Sequence, residues 1–174
     1  MSHSTIARRS LAAGAALALA LSLGGCAAVQ NLFGSDGDVQ RDESGEVTEA
    51  GTGSAFELEV GDCLDFPSAE EFNDVKLIPC GTPHDAEVFL NYETAESTFD
   101  EDALYAEAEE QCAAEFQSYV GSDPATSKFY YTYFTPVEAG WEGGDRVVTC
   151  VAVQLDEARE SMVLTSGSVR GLAE

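Results

Sequence analysis

The chain has 174 residues and sets 32 acidic side chains against 8 basic ones, a net charge of −24. That balance excludes a grip on double-stranded nucleic acid, where Lys and Arg must neutralise phosphates, and for the same reason a peripheral hold on anionic lipid headgroups. The length suits one domain with a genuine core, plus appended segments.

Arg8 and Arg9 precede an apolar run, 11–23, built of Leu, Ala, Gly and one Ser, and no charge follows until Asp36. Basic, then apolar, then small residues is the order of a secretory signal peptide. An uncleaved helix over 11–29 is the alternative, since that stretch is close to spanning length. Its Ala and Gly content, and the lack of a basic residue directly after it, argue for cleavage. Arg8-Arg9 also admits a twin-arginine route, but the flanks Ala7 and Ser10-Leu11-Ala12 match that pattern poorly, so the general secretion route is expected. The run ends in Leu23-Gly24-Gly25-Cys26, which resembles the lipobox of bacterial lipoproteins. The resemblance implies a diacylglycerol on the Cys26 thiol and a cut just before it, making 1–25 a lipoprotein signal peptide. Two or more acyl chains hold a protein on a membrane stably, where one holds it marginally. The expected location is the outer face of the plasma membrane.

Without residues 1–25 the chain keeps 32 acids and 6 bases, a net charge of −26. Residues 27–55 hold five glycines, six acids and one arginine, with Leu32 and Phe33 as the only bulky apolar pair. Such a composition cannot bury enough surface to fold alone, so 26–55 is expected to be a lipidated N-terminus and a disordered acidic tether with an end-to-end distance of about 30 Å. A calcium loop starting at Asp36 fails, because positions six and twelve are Arg41 and Val47 where Gly and Glu are needed. The folded domain is then 56–174, with 26 acids and 5 bases, a net charge of −21.

Strand signals fall at 56–60, 75–79, 86–92, 129–135, 147–155 and 162–166. The stretch 147–155 is apolar on both faces and reads as a central strand, with Val148, Cys150 and Ala152 on one side. One long helix is expected over 99–120. Thr98 and Glu101 form a capping box, and Gly121 is the C-terminal stop. Leu104, Ala108, Cys112, Phe116 and Val120 recur every four residues as an apolar stripe, which turns Cys112 inward. Glu107, Glu109, Glu110 and Glu115 lie off it as a solvated face. The fold class is α+β, a mainly antiparallel sheet with one long helix packed on one face.

Setting Cys26 aside, four cysteines in an exported chain read as two disulfides with three possible connectivities. The expected pairs are Cys63–Cys80, which closes a short excursion, and Cys112–Cys150, which locks helix to central strand. A zinc site is the rival reading, disfavoured by the lack of any C-x-x-C spacing and by the oxidising compartment.

The only histidine after the signal segment is His84, in Pro83-His84-Asp85-Ala86-Glu87. A His84–Asp85–Glu87 metal site is conceivable, but strand alternation sends neighbours to opposite faces. A turn in which His84 bonds backbone or a carboxylate is the simpler reading. No metal and no cofactor is expected. There is no G-x-S-x-G, P-loop, G-x-G-x-x-G or H-E-x-x-H. With 26 carboxylates, a glycosidase-like pair is too easily met to be informative. The run Phe129-Tyr130-Tyr131-Thr132-Tyr133-Phe134, with Trp141 nearby, offers stacking surface. Alternation puts Phe129, Tyr131 and Tyr133 on one face and Tyr130 and Phe134 on the other. Tyr130, Tyr131, Tyr133, Trp141 and His84 are the candidate binding residues.

Gly61-Asp62-Cys63-Leu64, Cys80 leading into Pro83-His84-Asp85-Ala86-Glu87-Val88, Cys112, Tyr119-Val120-Gly121, Pro136 with Trp141, Gly144-Asp145-Arg146 before Cys150, and Gly167-Ser168-Val169-Arg170-Gly171 come in the order of the septum-formation domain of actinobacterial envelope proteins, which this chain resembles. The resemblance implies an exported, often lipid-anchored or membrane-tethered protein, and it carries no catalytic residue. Arg146 and Arg170, two of five bases, are expected to find carboxylates. The functional expectation is a non-enzymatic binding or structural module of the envelope, with a hydrolase using a carboxylate pair as the alternative. Its partner should be uncharged or basic: an extracytoplasmic protein or a wall component. Replacing Cys26 by Ser should release the protein from the membrane or leave the precursor uncut, read by fractionation and precursor size.

Overall fold

The computed structural model describes residues 39–67 and 73–172. The expected signal peptide, Cys26 and the first part of the expected tether lie outside the described residues.

β8 (Val147–Leu155) is the longest strand of the main sheet and carries the helix-side layer. Its residues alternate between two faces and both are apolar, so each face must be covered. β6 (Ala86–Glu93) and β7 (Phe129–Phe134) flank it, both antiparallel. β4 (Cys63–Asp65), β5 (Asp74–Ile78) and β3 (Gly51–Ser54) continue outward from β6, and β9 (Met162–Val163) pairs with the end of β8. The order is β3-β5-β4-β6-β8-β7, with every pairing antiparallel.

One face is covered by α1 (Glu101–Val120). Leu104, Ala108, Cys112, Phe116 and Val120 are all fully buried, as their spacing requires. Cys112, Phe116, Tyr119 and Val120 pack on Phe89, Phe129, Tyr131, Cys150 and Ala152. Gly121, at φ 89°, ends the helix in the left-handed conformation that glycine adopts without strain. The start differs from expectation. Asp100, not Thr98, is the N-cap, its carboxylate accepting from Ala103 N at 3.1 Å. Both residues suit the role; Asp100 adds a negative charge at the positive end of the helix dipole. Of the helical glutamates, Glu109 and Glu110 are exposed as expected, while Glu107 and Glu115 are half-buried; Glu107 accepts from Thr94 Oγ1 and Ala95 N, and Glu109 accepts from Tyr131 OH at 2.8 Å.

The other face is covered by residues expected to be tether, which corrects that reading for 39–55. β1 (Gln40–Arg41) and β2 (Val47–Glu49) form a small hairpin, and β3 joins the main sheet beside β5. The Asp42 carboxylate organises the turn by accepting from Ser44 N, Ser44 Oγ and Glu46 N. The Ser44 hydroxyl bond is the main cause holding the Asp42 carboxyl below the usual range. Arg41 forks onto the Asp62 carboxylate at 2.5 and 2.8 Å, which raises the guanidinium pKa. Val47 and Leu58 then pack with Leu64, Val75, Leu77, Val88, Val151 and Val153 in a second core. A Cβ on Gly53 would lie 3.0 Å from the Leu77 side chain and 3.1 Å from Val39, so glycine lets this segment approach closely.

The strand expected at 56–60 is absent. Residues Ala55–Glu57 form a 3-10 turn capped by the Ser54 hydroxyl, with Leu58 buried but Phe56 and Val60 exposed. The strand signal there belongs to a turn with one anchoring leucine. Around 162–166 only Met162–Val163 pairs as strand, followed by a single bridge between Thr165 and His84. A five-residue helix, α2 (Glu138–Glu142), was not foreseen. A bulge between Val88 and Leu90 in β6 lets Phe89 and Leu90 both reach the helix-side core.

Cys63–Cys80 and Cys112–Cys150 are bonded, closing sequence separations of 17 and 38. In the chain-entropy account they contribute about 3 and about 4 kcal/mol respectively. Removing Cys112–Cys150 by paired Ala substitution should therefore destabilise the domain more than removing Cys63–Cys80, by about 1 kcal/mol in urea unfolding.

Candidate functional site

The residues singled out in the sequence divide between a buried polar knot and a partly open aromatic groove. The knot centres on Glu87, whose carboxylate is almost fully buried where β6 passes under the end of α1. Such a charge survives burial only if fully hydrogen-bonded. Tyr119 OH and Ser168 Oγ donate to Oε1 at 2.6 and 2.7 Å, and Val169 N donates to Oε2 at 2.6 Å. Arg170 lies over the Tyr119 ring at 4.7 Å and donates to its hydroxyl at 3.3 Å. Burial first, then the bond to Glu87, push the Tyr119 phenol far above its ordinary value. Glu87 thus ties the helix end and the closing Gly167–Gly171 motif to the sheet.

His84 is completely buried, so it is no surface contact. Its Nδ1 bonds the Thr82 carbonyl at 2.8 Å, the backbone bonding expected of it, and its main chain pairs with Thr165 in both directions at 3.0 Å. Asp85 accepts from Phe66 N at 2.9 Å. Asp145 accepts from Val147 N at 2.9 Å, shaping the turn into β8. Arg146 and Arg170 do not take the expected carboxylates among the described residues. Arg146 stacks on Trp141 at 3.5 Å and donates to the carbonyls of Trp141 and Asp145, while Arg170 reaches Glu87 only through Tyr119.

The aromatic strand splits as alternation requires. Phe129 and Tyr131 are buried against α1, which removes Tyr131 from the candidate contacts. Phe134 packs on the second core. Tyr130 stays exposed, with the Arg159 guanidinium 5.6 Å from its ring centre. Trp141 is half-buried between Arg146 and Phe99. Tyr133, half-buried, lines a groove of about 550 Å³ together with Phe56, Tyr105, Val137, Asp145 and Thr149. The five candidates therefore do not form one surface: Tyr133 is in the groove, while Tyr130 and Trp141 are outside its lining.

The large exposed apolar members of the groove are Phe56 at 51%, Tyr105 at 43% and Val137 at 42%. Sequence reasoning missed all three. Tyr105 had a signal, being an aromatic one position off the buried stripe. Phe56 and Val137 had none, because each is brought there by a short helical turn with no periodic pattern. Tyr105 donates to Glu101 at 2.7 Å, the main reason its pKa rises, and burial raises that of Tyr133. Apolar rings with two phenol hydroxyls and one described carboxylate suit stacking and hydrogen bonding to an occupant.

These features define a small disulfide-stapled α+β domain whose signature residues mostly build turns, staples and the buried knot. The family model described as "Septum formation" matches residues 60–174, and the chain belongs to that family. It is similar to the "Putative lipoprotein LppN" of Mycobacterium tuberculosis and to that of Mycobacterium bovis, each 32% identical over 123 residues, covering 70% of this chain and 67% of the relative. No solved structure matches. The matched region begins after β1–β3, so the hairpin and the edge strand beside β5 lie before it.

Tyr119 and Tyr131 are raised well beyond their ordinary value of 10.0, and Tyr92 to about 12, burial being the largest cause in each. Below pH 10 folded and unfolded chains both keep these protons and the stabilisation is complete. Above it the unfolded phenols ionise first, so stability should fall as pH rises toward the folded values. Thermal melts by circular dichroism should show this fall. Tyr119→Phe should flatten it, and should cost about 1–3 kcal/mol at neutral pH by taking one donor from Glu87.

Proposed function

We propose that this protein is a lipid-anchored, extracytoplasmic module of the cell envelope that binds a partner without chemistry, in the context of septum formation or wall growth. Its support is the family, the mycobacterial relatives named as lipoproteins, and the Leu23–Cys26 motif behind an apolar run. The observation that carries the binding role is the groove beside β7, with Phe56, Tyr105 and Val137 exposed around Tyr133. Aromatic and aliphatic groups left open in a concavity favour recognition, since rigid rings supply contact area at low entropic cost. Asp145 is the one carboxylate lining the groove among the described residues, and Val147 N already holds it. Glu87, the most buried acid, accepts three bonds and faces the core. Neither arrangement favours a carboxylate pair across a cleft.

With 30 acids against 6 bases over residues 39–174, a net charge of −24, the folded part is kept away from anionic lipid and favours an uncharged or basic occupant, an extracytoplasmic protein segment or a wall polymer. A photo-crosslinking residue at Val137 or Tyr105, in cells carrying the anchored protein, should give a specific adduct, weakened by added salt where the occupant is basic and indifferent to it where the occupant is uncharged. Tyr130 serves as the comparison outside the groove. Adducts only at Tyr130, or at no position, would overturn the groove assignment. Release of products on incubation with purified wall fragments would overturn the non-enzymatic role.

A further inference from the structure

Cys63 and Glu87 are register partners where β4 meets β6, and His84 lies just before β6. All three are buried, and one ligand-capable atom from each lies within 4.8 Å of the other two. His84 is the informative member. A carbonyl can only accept, so the contact with Thr82 places the ring proton on Nδ1 and the lone pair on Nε2. Nε2 is buried with no hydrogen-bond partner, an expense that calls for a cause. A backbone carbonyl on one ring nitrogen and an open lone pair on the other is how metal-ligating histidines are oriented. Glu87 is similarly prepared. Its Oε1 takes two hydroxyls and its Oε2 only the Val169 N–H, which leaves one acceptor direction on Oε2. With its sulfur bonded to Cys80, Cys63 has no thiolate to offer.

We propose that the Cys63–Cys80 disulfide masks a metal site: once it is reduced, the Cys63 thiolate, His84 Nε2 and Glu87 Oε2 hold a divalent cation of the zinc type. Cys80 or a water completes the tetrahedron. A dithiol is the reductant. It exchanges with the disulfide, delivering two electrons to the S–S bond and two protons to the resulting thiols, and leaves as its own disulfide. The incoming cation then displaces one proton from each thiol that binds it. Bond lengths to sulfur, nitrogen and oxygen place such ligands roughly 3.3–3.8 Å apart. The three atoms, within 4.8 Å of one another, must draw together to reach that spacing, and the S–S bond holds the Cys63 sulfur back. Cys80 retains 9% exposure whereas Cys112 and Cys150 have none, so a reductant meets this staple first. Disulfide and metal are alternative states of one site.

The test uses cobalt(II), whose thiolate charge-transfer and tetrahedral visible bands report ligand type and geometry. In the full-length protein, Cys80→Ser frees the Cys63 thiol and leaves Cys112–Cys150 closed. This variant should bind one equivalent of cobalt with a thiolate band, displaceable by zinc, while the oxidised unsubstituted protein shows none. Adding His84→Gln should weaken binding by more than about 100-fold, since outer-shell partners alone are worth roughly 10–100-fold. If Cys80→Ser does not fold, the unsubstituted protein reduced at Cys63–Cys80 alone, verified by peptide mapping, is titrated and judged in the same way. No thiolate band in a folded protein with a free Cys63, or a band indifferent to His84→Gln, would overturn the site.

Discussion

A nine-residue strand that is apolar on both faces cannot be left with one face in water. Val151 and Val153 point one way and Cys150 and Ala152 the other, and all four are buried. Burying each valine contributes about 1.5–3 kcal/mol, so two covering layers are a condition of the fold. The helix supplies one, joined to β8 by Cys112–Cys150. The segment from Val39 to Leu58 belongs to the other, held by β3–β5 pairing and by Arg41 on the Asp62 carboxylate. Asp62 is itself nearly inaccessible and also accepts from Glu59 N, so the covering segment and the β4 edge share one charged anchor.

The polar interior follows from the same constraint. Where the sheet meets the end of α1, a carboxylate sits among apolar residues and collects donors from the helix and the C-terminal turn. Tyr119 is at once a core ring packed on Phe89 and a donor to Glu87. This dual use explains why the glycine-flanked motif at 167–171 is pinned down although it has no regular secondary structure. His84, close to Glu87, joins the C-terminal segment through its main chain rather than its ring. The motif residues around Pro83 and Gly167 are therefore far apart in sequence and adjacent in space.

Contact surface is what remains after these demands are met. The aromatic strand gives Phe129 and Tyr131 to the helix-side core and Phe134 to the other, and leaves Tyr133 at a groove edge. Trp141 is drawn into a stack with Arg146 and Phe99, which spends much of its surface inside the domain. The groove is completed by residues from the 3-10 turn, α1 and the approach to α2. No single stretch of chain contains it.

What the sequence by itself determined is the part written in local patterns. Period-four burial of Leu104 to Val120, the glycine stop at 121, the two-faced run 147–155, the alternation of Phe129 to Phe134 and the presence of two disulfides among four cysteines all follow from spacing and composition. The tertiary structure alone decided that residues 39–55, acidic and glycine-rich, fold onto the sheet, that Arg146 takes an aromatic ring instead of a carboxylate, and that Phe56, Tyr105 and Val137 surround one groove. The physical reason is common to all three. A segment too polar to build a core can still complete one, because the surface that rewards Val47 and Leu58 exists only once distant strands have assembled it.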